Sequence, residues 1–203
     1  MTRDLTPDEK RHSEALYAPV AAALRELIDV TIRSDVDDAD VRRAQALIEE
    51  AAGLLGSRLD PGPPSSRSGP DGRPLTWGNV AFGVRNAIAF PLQIERAENG
   101  RVTTDLNLGA PYEGPAGHLH GGISALILDH VLSATAHRPE APAFTGTLTL
   151  RYVAPTPLGR VRAEAWTDRE ERGKTFAVGH LLDAAGPVTV RAEGVFIRPR
   201  PPQ

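Results

Sequence analysis

Cysteine is absent from the 203 residues. That removes disulfides, thiolate metal sites and a cysteine nucleophile, and it fits a cytoplasmic protein. No uninterrupted apolar run approaches the ~20 residues of a membrane span, and the opening stretch MTRDLTPDEK has no hydrophobic signal region. No excess of basic charge is present either: the net charge is −3, where a nucleic-acid binder would carry a basic footprint. Lysine is scarce, occurring only at Lys10 and Lys174 among many arginines. What is plentiful is apolar material. At 40% hydrophobic residues the chain can bury a core as a soluble globular protein.

Three zones follow one another. Residues 1–56 have a helical pattern. Thr6, Pro7, Asp8 and Glu9 form a start signal, with Thr as N-cap, Pro at the first helical position and acids in the first turn. Leu16, Val20, Leu24, Leu27 and Ile28 recur at helical spacing, and Pro19 is expected to kink or split the segment. A second helix starts near Asp37 or Asp38 and carries Val41, Ala44, Leu47, Ile48, Ala51, Leu54 and Leu55 on one broad face, with Gly56 as its terminator. Residues 57–74, SRLDPGPPSSRSGPDGRP, read as a linker or long surface loop. Residues 75–203 change period. Strands are expected at 79–84, 86–97, 101–109, 143–154, 158–168, 174–183 and 187–198, with turns at Glu98-Asn99-Gly100 and Asp183-Ala184-Ala185-Gly186. Strands, one long apolar helix, then hairpin strands imply an α+β layout: an antiparallel sheet with a helix on one face.

That helix, Gly121 to Ala136, is apolar nearly all round, which marks a buried one. Asp129 stands inside it, on a stripe with the small residues Ala125, Ser133 and Ala136. A carboxylate there loses hydration. It either satisfies a nearby backbone group or an arginine, or it serves as a base. The preceding glycines favour the second use. Gly121 and Gly122 lie where helical N–H groups lack internal partners, and their missing side chains let a ligand approach. A carbonyl placed there would have its developing oxyanion stabilised. Yet Gly122 and Asp129 are separated by roughly 10 Å at ~1.5 Å per residue, so one carbonyl cannot touch both. A second copy running antiparallel would close the gap, which points to a two-fold dimer with shared sites.

His120-Gly121-Gly122, with Asp129 nine residues after the His, resembles the motif of the hotdog-fold acyl-CoA thioesterases, closest to the PaaI-like branch that includes the THEM-type enzymes. The resemblance covers about residues 78–198. Tyr112-Glu113-Gly114-Pro115 is similar to the lead-in of that branch, and Leu148 to Pro155 is similar to its following strand with a Tyr-x-x-Pro ending. Thr145 falls where the family has a catalytic Ser or Thr. Gly173-Lys174-Thr175 resembles the hairpin that helps to hold coenzyme A.

The resemblance implies a hotdog fold with an N-terminal helical extension, and hydrolysis of an acyl-CoA to free acid and CoA. It implies that a Gly121 or Gly122 amide polarises the thioester carbonyl and that Asp129 of the other subunit acts as base or nucleophile. Thr145 would position water or the acid, and His120 would orient the turn or the carbonyl. Some relatives carry Asn or Gln where this chain has Gly114, so the adjacent Glu113 is a candidate for holding water. Lys174, Gly173, Thr175 and Arg172 are candidates for binding the CoA portion. No separate cofactor is implied, since CoA belongs to the substrate. His118 and His120 form an HxH pair without a third ligand at suitable spacing, so no metal is expected. The implied assembly is a homodimer or a dimer of dimers, with no nucleic-acid partner. The competing function is a non-enzymatic acyl-CoA-binding protein or regulator. Against a DNA-binding role, residues 1–55 carry twelve acidic and seven basic side chains, a net −5. A hotdog hydratase is disfavoured because Ala134 stands where such enzymes have a His.

Overall fold

The computed structural model describes residues 4–60, 67–90, 92–138 and 142–199, so the centre of the Pro/Gly/Ser-rich stretch, 61–66, lies outside the described residues. The chain divides into two compact units, Met1–Ala89 and Phe90–Gln203.

In the first unit, local chemistry sets both helices. Helix α1 (Pro7–Arg33) opens with a capping box: Thr6 Oγ1 accepts from the Glu9 N–H at 3.3 Å, and the Glu9 carboxylate accepts from the Thr6 N–H at 2.9 Å. Helix α2 (Asp38–Gly56) opens with Asp37, whose carboxylate accepts from the Ala39 and Asp40 N–H groups at 3.0 and 3.1 Å. Contrary to the expected split, α1 runs unbroken through Pro19. That residue is exposed, so water can serve the carbonyl that the missing N–H leaves unpaired.

Residues 79–90 form turns, not the strands expected from their apolar pattern. Asn79 accounts for the difference: its side-chain oxygen accepts from the Ala81 N–H at 2.8 Å and its carbonyl from the Gly83 N–H at 2.8 Å. This segment packs on α1. The Arg85 guanidinium lies 3.8 Å from both the Tyr17 and the Trp77 ring centroids, and Trp77 Nε1 donates to Glu14 at 3.0 Å.

The second unit is a six-stranded antiparallel sheet: β1 (Glu95–Arg96), β2 (Val102–Leu108), β3 (Phe144–Tyr152), β4 (Gly159–Glu171), β5 (Lys174–Asp183) and β6 (Val188–Ile197). Their order across the sheet is β1-β2-β4-β5-β6-β3. Of the expected strand 86–97, only Glu95–Arg96 pairs. Helix α3 (Gly121–Ala136) lies on one face of the sheet and packs on β2 to β6.

Why the helix sits so deep is visible in the sheet's inner face. Val161, Ala163, Ala165, Ala177, Leu181 and Ala192 are buried there, mostly small, and Gly179 and Gly194 leave room for one side chain. A Cβ on Gly179 would stand 2.7 Å from Leu132 Cδ1 and 2.6 Å from the Glu164 carbonyl oxygen, and one on Gly194 would stand 3.0 Å from Leu132 Cδ2. Leu132 therefore fills the space that two absent side chains vacate. Core residues Ile127, Leu128 and Val131 complete the same helix face with no exposed surface.

β3 is an edge strand and pairs only with β6. Its register shifts between Thr145 and Thr147, leaving Gly146 as a bulge. Thr147 is opposite Val195, whereas Thr145 is opposite the buried Phe196. The extra residue thus turns Thr145 to the helix side. Gly179→Val should destabilise the protein by about 1–3 kcal/mol through overpacking. A thermal or urea transition matching the wild type would show that α3 does not need this close approach.

Candidate active site

The start of α3 is built by a loop that is tied down on both sides. The His120 N–H donates to the Tyr112 carbonyl at 2.9 Å, the Gly114 N–H to the His118 carbonyl at 2.9 Å, and the Leu119 N–H to the Thr156 carbonyl at 2.8 Å. Glu113 accepts from the Gly117 N–H at 2.6 Å through its carboxylate, so its charge closes this loop. Gly114 has a steric cause: a Cβ there would lie 2.8 Å from His120 Cα. A side chain there would require the His120 backbone to shift, which favours glycine at this position.

His120 is the N-cap of α3, and its Nδ1 accepts from the Gly122 N–H at 3.0 Å. That bond fixes a ring whose Nδ1 carries no proton, and it uses up the Gly122 amide. The Gly121 N–H, by contrast, donates to no protein group among the described residues. The Gly121 carbonyl accepts from Tyr152 Oη at 2.8 Å, and a Cβ on Gly121 would stand 3.3 Å from that oxygen. Tyr152 is thus a positioning residue that the sequence motif contained without revealing its task. A cleft of about 610 Å³ opens beside this turn, lined by Pro115, Leu119, Gly121, Ser124, Tyr152 and Pro155.

Asp129 stands at the middle of the helix, about two turns on, and does not line that cleft. Thr145 Oγ1 donates to Asp129 Oδ1 at 3.0 Å, so the bulged edge strand and the helix meet at the acid. Eight residues separate Gly121 from Asp129, about 12 Å along the axis. The two pairs lie near opposite ends of β3: Tyr152 with Gly121 at one end, Thr145 with Asp129 at the other.

The β4–β5 hairpin lies at the acid's end of the sheet, where Lys174 is opposite Ile197 and Ile197 is opposite Phe144. Its turn residues Arg172 and Gly173 have φ of 50° and 77°, a left-handed pair suited to a two-residue turn. Arg172 and Lys174 are exposed. Thr175 is fully buried, and its hydroxyl pairs with Glu170 at 3.3 Å. Thr175 therefore braces the hairpin that carries Lys174. His118 Nδ1 is 2.8 Å from the Ala116 carbonyl, and no group of three or more His, Asp or Glu among the described residues could hold a metal ion. No helix among them is long and apolar enough to cross a membrane.

With this geometry in hand, the comparisons are specific. Residues 116–190, from the HGG turn through β5 into β6, match the family model of the thioesterase superfamily. A crystal structure of a thioesterase superfamily protein aligns at TM-score 0.77 and 29% identity, over 89% of this chain and 90% of its own. The Escherichia coli PaaI protein from the phenylacetic acid degradation operon aligns at 0.51 and 13%, over 55% of this chain and 81% of its own. A Bacillus halodurans protein solved with CoA aligns at 0.54 and 19%, over 83% and 99%. No curated protein matches the chain. The fold is the hotdog fold, a sheet wrapped on a central helix. The match to the thioesterase superfamily model covers residues 116–190, within this hotdog unit.

Beside the acid, burial lowers the pKa of the His130 imidazole below its ordinary value; Asp129 pulls the other way and His137 adds to the lowering. The unfolded chain then binds this proton at higher pH than the folded one, so stability rises with pH across that window and is lost as pH falls. His130→Gln should flatten the loss of stability below about pH 6.5, as read by denaturant titration. Equal acid slopes for the two proteins would remove His130 from that account.

Proposed function

We propose that the protein is an acyl-CoA thioesterase whose active sites are shared between two copies. The reading rests on one observation: the free Gly121 N–H and the Thr145-held Asp129 belong to the same helix, yet lie about 12 Å apart. Chemistry on one thioester needs both. The edge strand β3 supplies the means, since its unpaired side can continue the sheet into a second copy. Antiparallel pairing centred on Leu148, the middle residue of Phe144–Tyr152, brings Thr145 toward the Leu150–Tyr152 end of the other copy's strand. Asp129 then comes up to Tyr152 and Gly121 of that copy.

In this site the Gly121 N–H donates to the thioester oxygen. Water attacks the carbonyl carbon, and Asp129 takes the proton. The oxyanion forms against the Gly121 amide at the positive end of α3. Collapse expels the CoA thiolate, which takes up a proton to leave as thiol, and the acid is released. Thr145 orients the carboxylate, and His120 and Tyr152 hold the turn so that the amide needs no rearrangement. Glu113 supports the same loop through Gly117. Gly173, Lys174 and Arg172, exposed at the acid's end, are positioned for the CoA portion. The superfamily match and the CoA-bound relative of the same fold support this choice of substrate class.

Thiol release from a panel of short, long and aromatic acyl-CoAs tests the reading. Asp129→Asn should lower kcat by about 10²–10⁴-fold with the fold intact. A variant rate near wild type would remove Asp129 from the chemistry. Sharing is tested separately. Asp129→Asn and Gly121→Val proteins, each inactive alone, should regain activity when unfolded together and refolded, because a mixed pair contains one intact site. No recovery despite mixed pairs would mean that each site is built from one chain.

A further inference from the structure

Helix α2 presents an apolar face that is exposed among the described residues. It has no buried residue and does not pack along α1. Leu47 is 58% exposed, Ile48 43%, Leu54 71% and Leu55 52%. Five large hydrophobics on one helix of 19 residues are far more than scattered surface apolar residues explain. At 100° per residue, Ala44 and Ala51 lie at the centre of this face, with Leu55, Ile48 and Val41 to one side and Leu47 and Leu54 to the other.

The charges along one border of the face say what fits it. That border carries Arg43 and Glu50, an arginine seven residues before a glutamate; the other border carries the uncharged Gln45 and Ala52, and Arg42 and Glu49 lie toward the back of the helix. Two copies of the helix related by a two-fold axis run antiparallel, and each border meets itself in reverse. Arg43 then meets Glu50 of the other copy, and the pair forms twice. The same axis pairs Ala44 with Ala51, Leu47 with Ile48 and Val41 with Leu54, small against small and large against large. Charge and shape give the same centre to within two residues, near position 47. A parallel arrangement would set Arg43 and Glu50 against the uncharged border of Gln45 and Ala52, and no ion pair would form. An anionic membrane surface is disfavoured by the helix's own balance of four acids and two arginines.

We propose that the α2 face is a self-association surface, docking antiparallel on α2 of a second copy of this chain across a two-fold axis near Leu47 and Ile48. The alanines let the two axes approach closely, and the large residues close over them at either side. This face belongs to the first unit, the β3 edge and the thioester chemistry to the second.

The natural absence of cysteine makes the test direct. Ile48→Cys, Leu55→Cys and Ala46→Cys, each in the full chain, are oxidised and run on a non-reducing gel. Ile48→Cys, close to the axis, should form a covalent dimer. Leu55→Cys is on the same face but about 22 Å from its equivalent in the antiparallel pair, and Ala46→Cys is on the opposite side of the helix; neither should be captured. In the Ile48→Cys background, Arg43→Glu should slow capture several-fold, and adding Glu50→Arg should restore it. Equal capture at positions 48 and 55, or none at 48, would overturn the proposal. So would slowing by Arg43→Glu that Glu50→Arg fails to repair, since another protein seated on the face would not reverse its charges in step.

Discussion

The contact between Leu132 and the two glycines of the central strands governs the hotdog unit. Gly179 and Gly194 have no side chains, and Leu132 occupies what would be their volume. With that contact made, α3 lies deep in the sheet and its remaining face is fixed. Both ends of the candidate site inherit their positions from it. His120 at the N-terminus caps the first turn, and Asp129 two turns on faces Thr145. A shallower helix would still fold as a helix, but the acid would no longer reach the strand. The core and the site are in this sense one constraint.

Much of this could be read from the sequence, for identifiable reasons. α3 is apolar almost all round, and that pattern fixes a buried helix without ambiguity; its bounds, Gly121–Ala136, are those the pattern gave. Alternation in Val161–Trp166 likewise marked a half-buried strand, and the turns at Asn99-Gly100 and Asp183-Gly186 follow from left-handed glycines with φ of 79° and 100°. The reading failed where apolar content and local polar bonding disagreed. Residues 79–90 look like strand by composition, but Asn79 satisfies its neighbours' N–H groups and bends the chain away. Pro19 looked like a break, yet an exposed helix face tolerates it.

At the site, residue identities were legible but the bonds were not. Gly121 and Gly122 were interchangeable as sequence; His120 separates them by taking the second amide. Gly114 looked like a lost polar group, and its close approach to the His120 backbone gives the glycine a steric reason as well. Thr175 was legible as part of the Gly173-Lys174-Thr175 hairpin, but its burial and its bond to Glu170 were not. Thr145 could have been an ordinary strand threonine. The signal that it was not lay next to it, in a glycine within a strand, which often marks a bulge.

That bulge has a further consequence for how β3 can vary. Side chains alternate along a strand, so the face occupied by Thr145 depends on how many residues separate it from Tyr152, not only on what they are. Substitution within the strand alters chemistry one position at a time. Loss of a single residue there would swap the hydroxyl to the far face and detach it from the acid in one step. Length within β3 is therefore under a stricter constraint than composition, whereas the connection just before it has no such parity to keep.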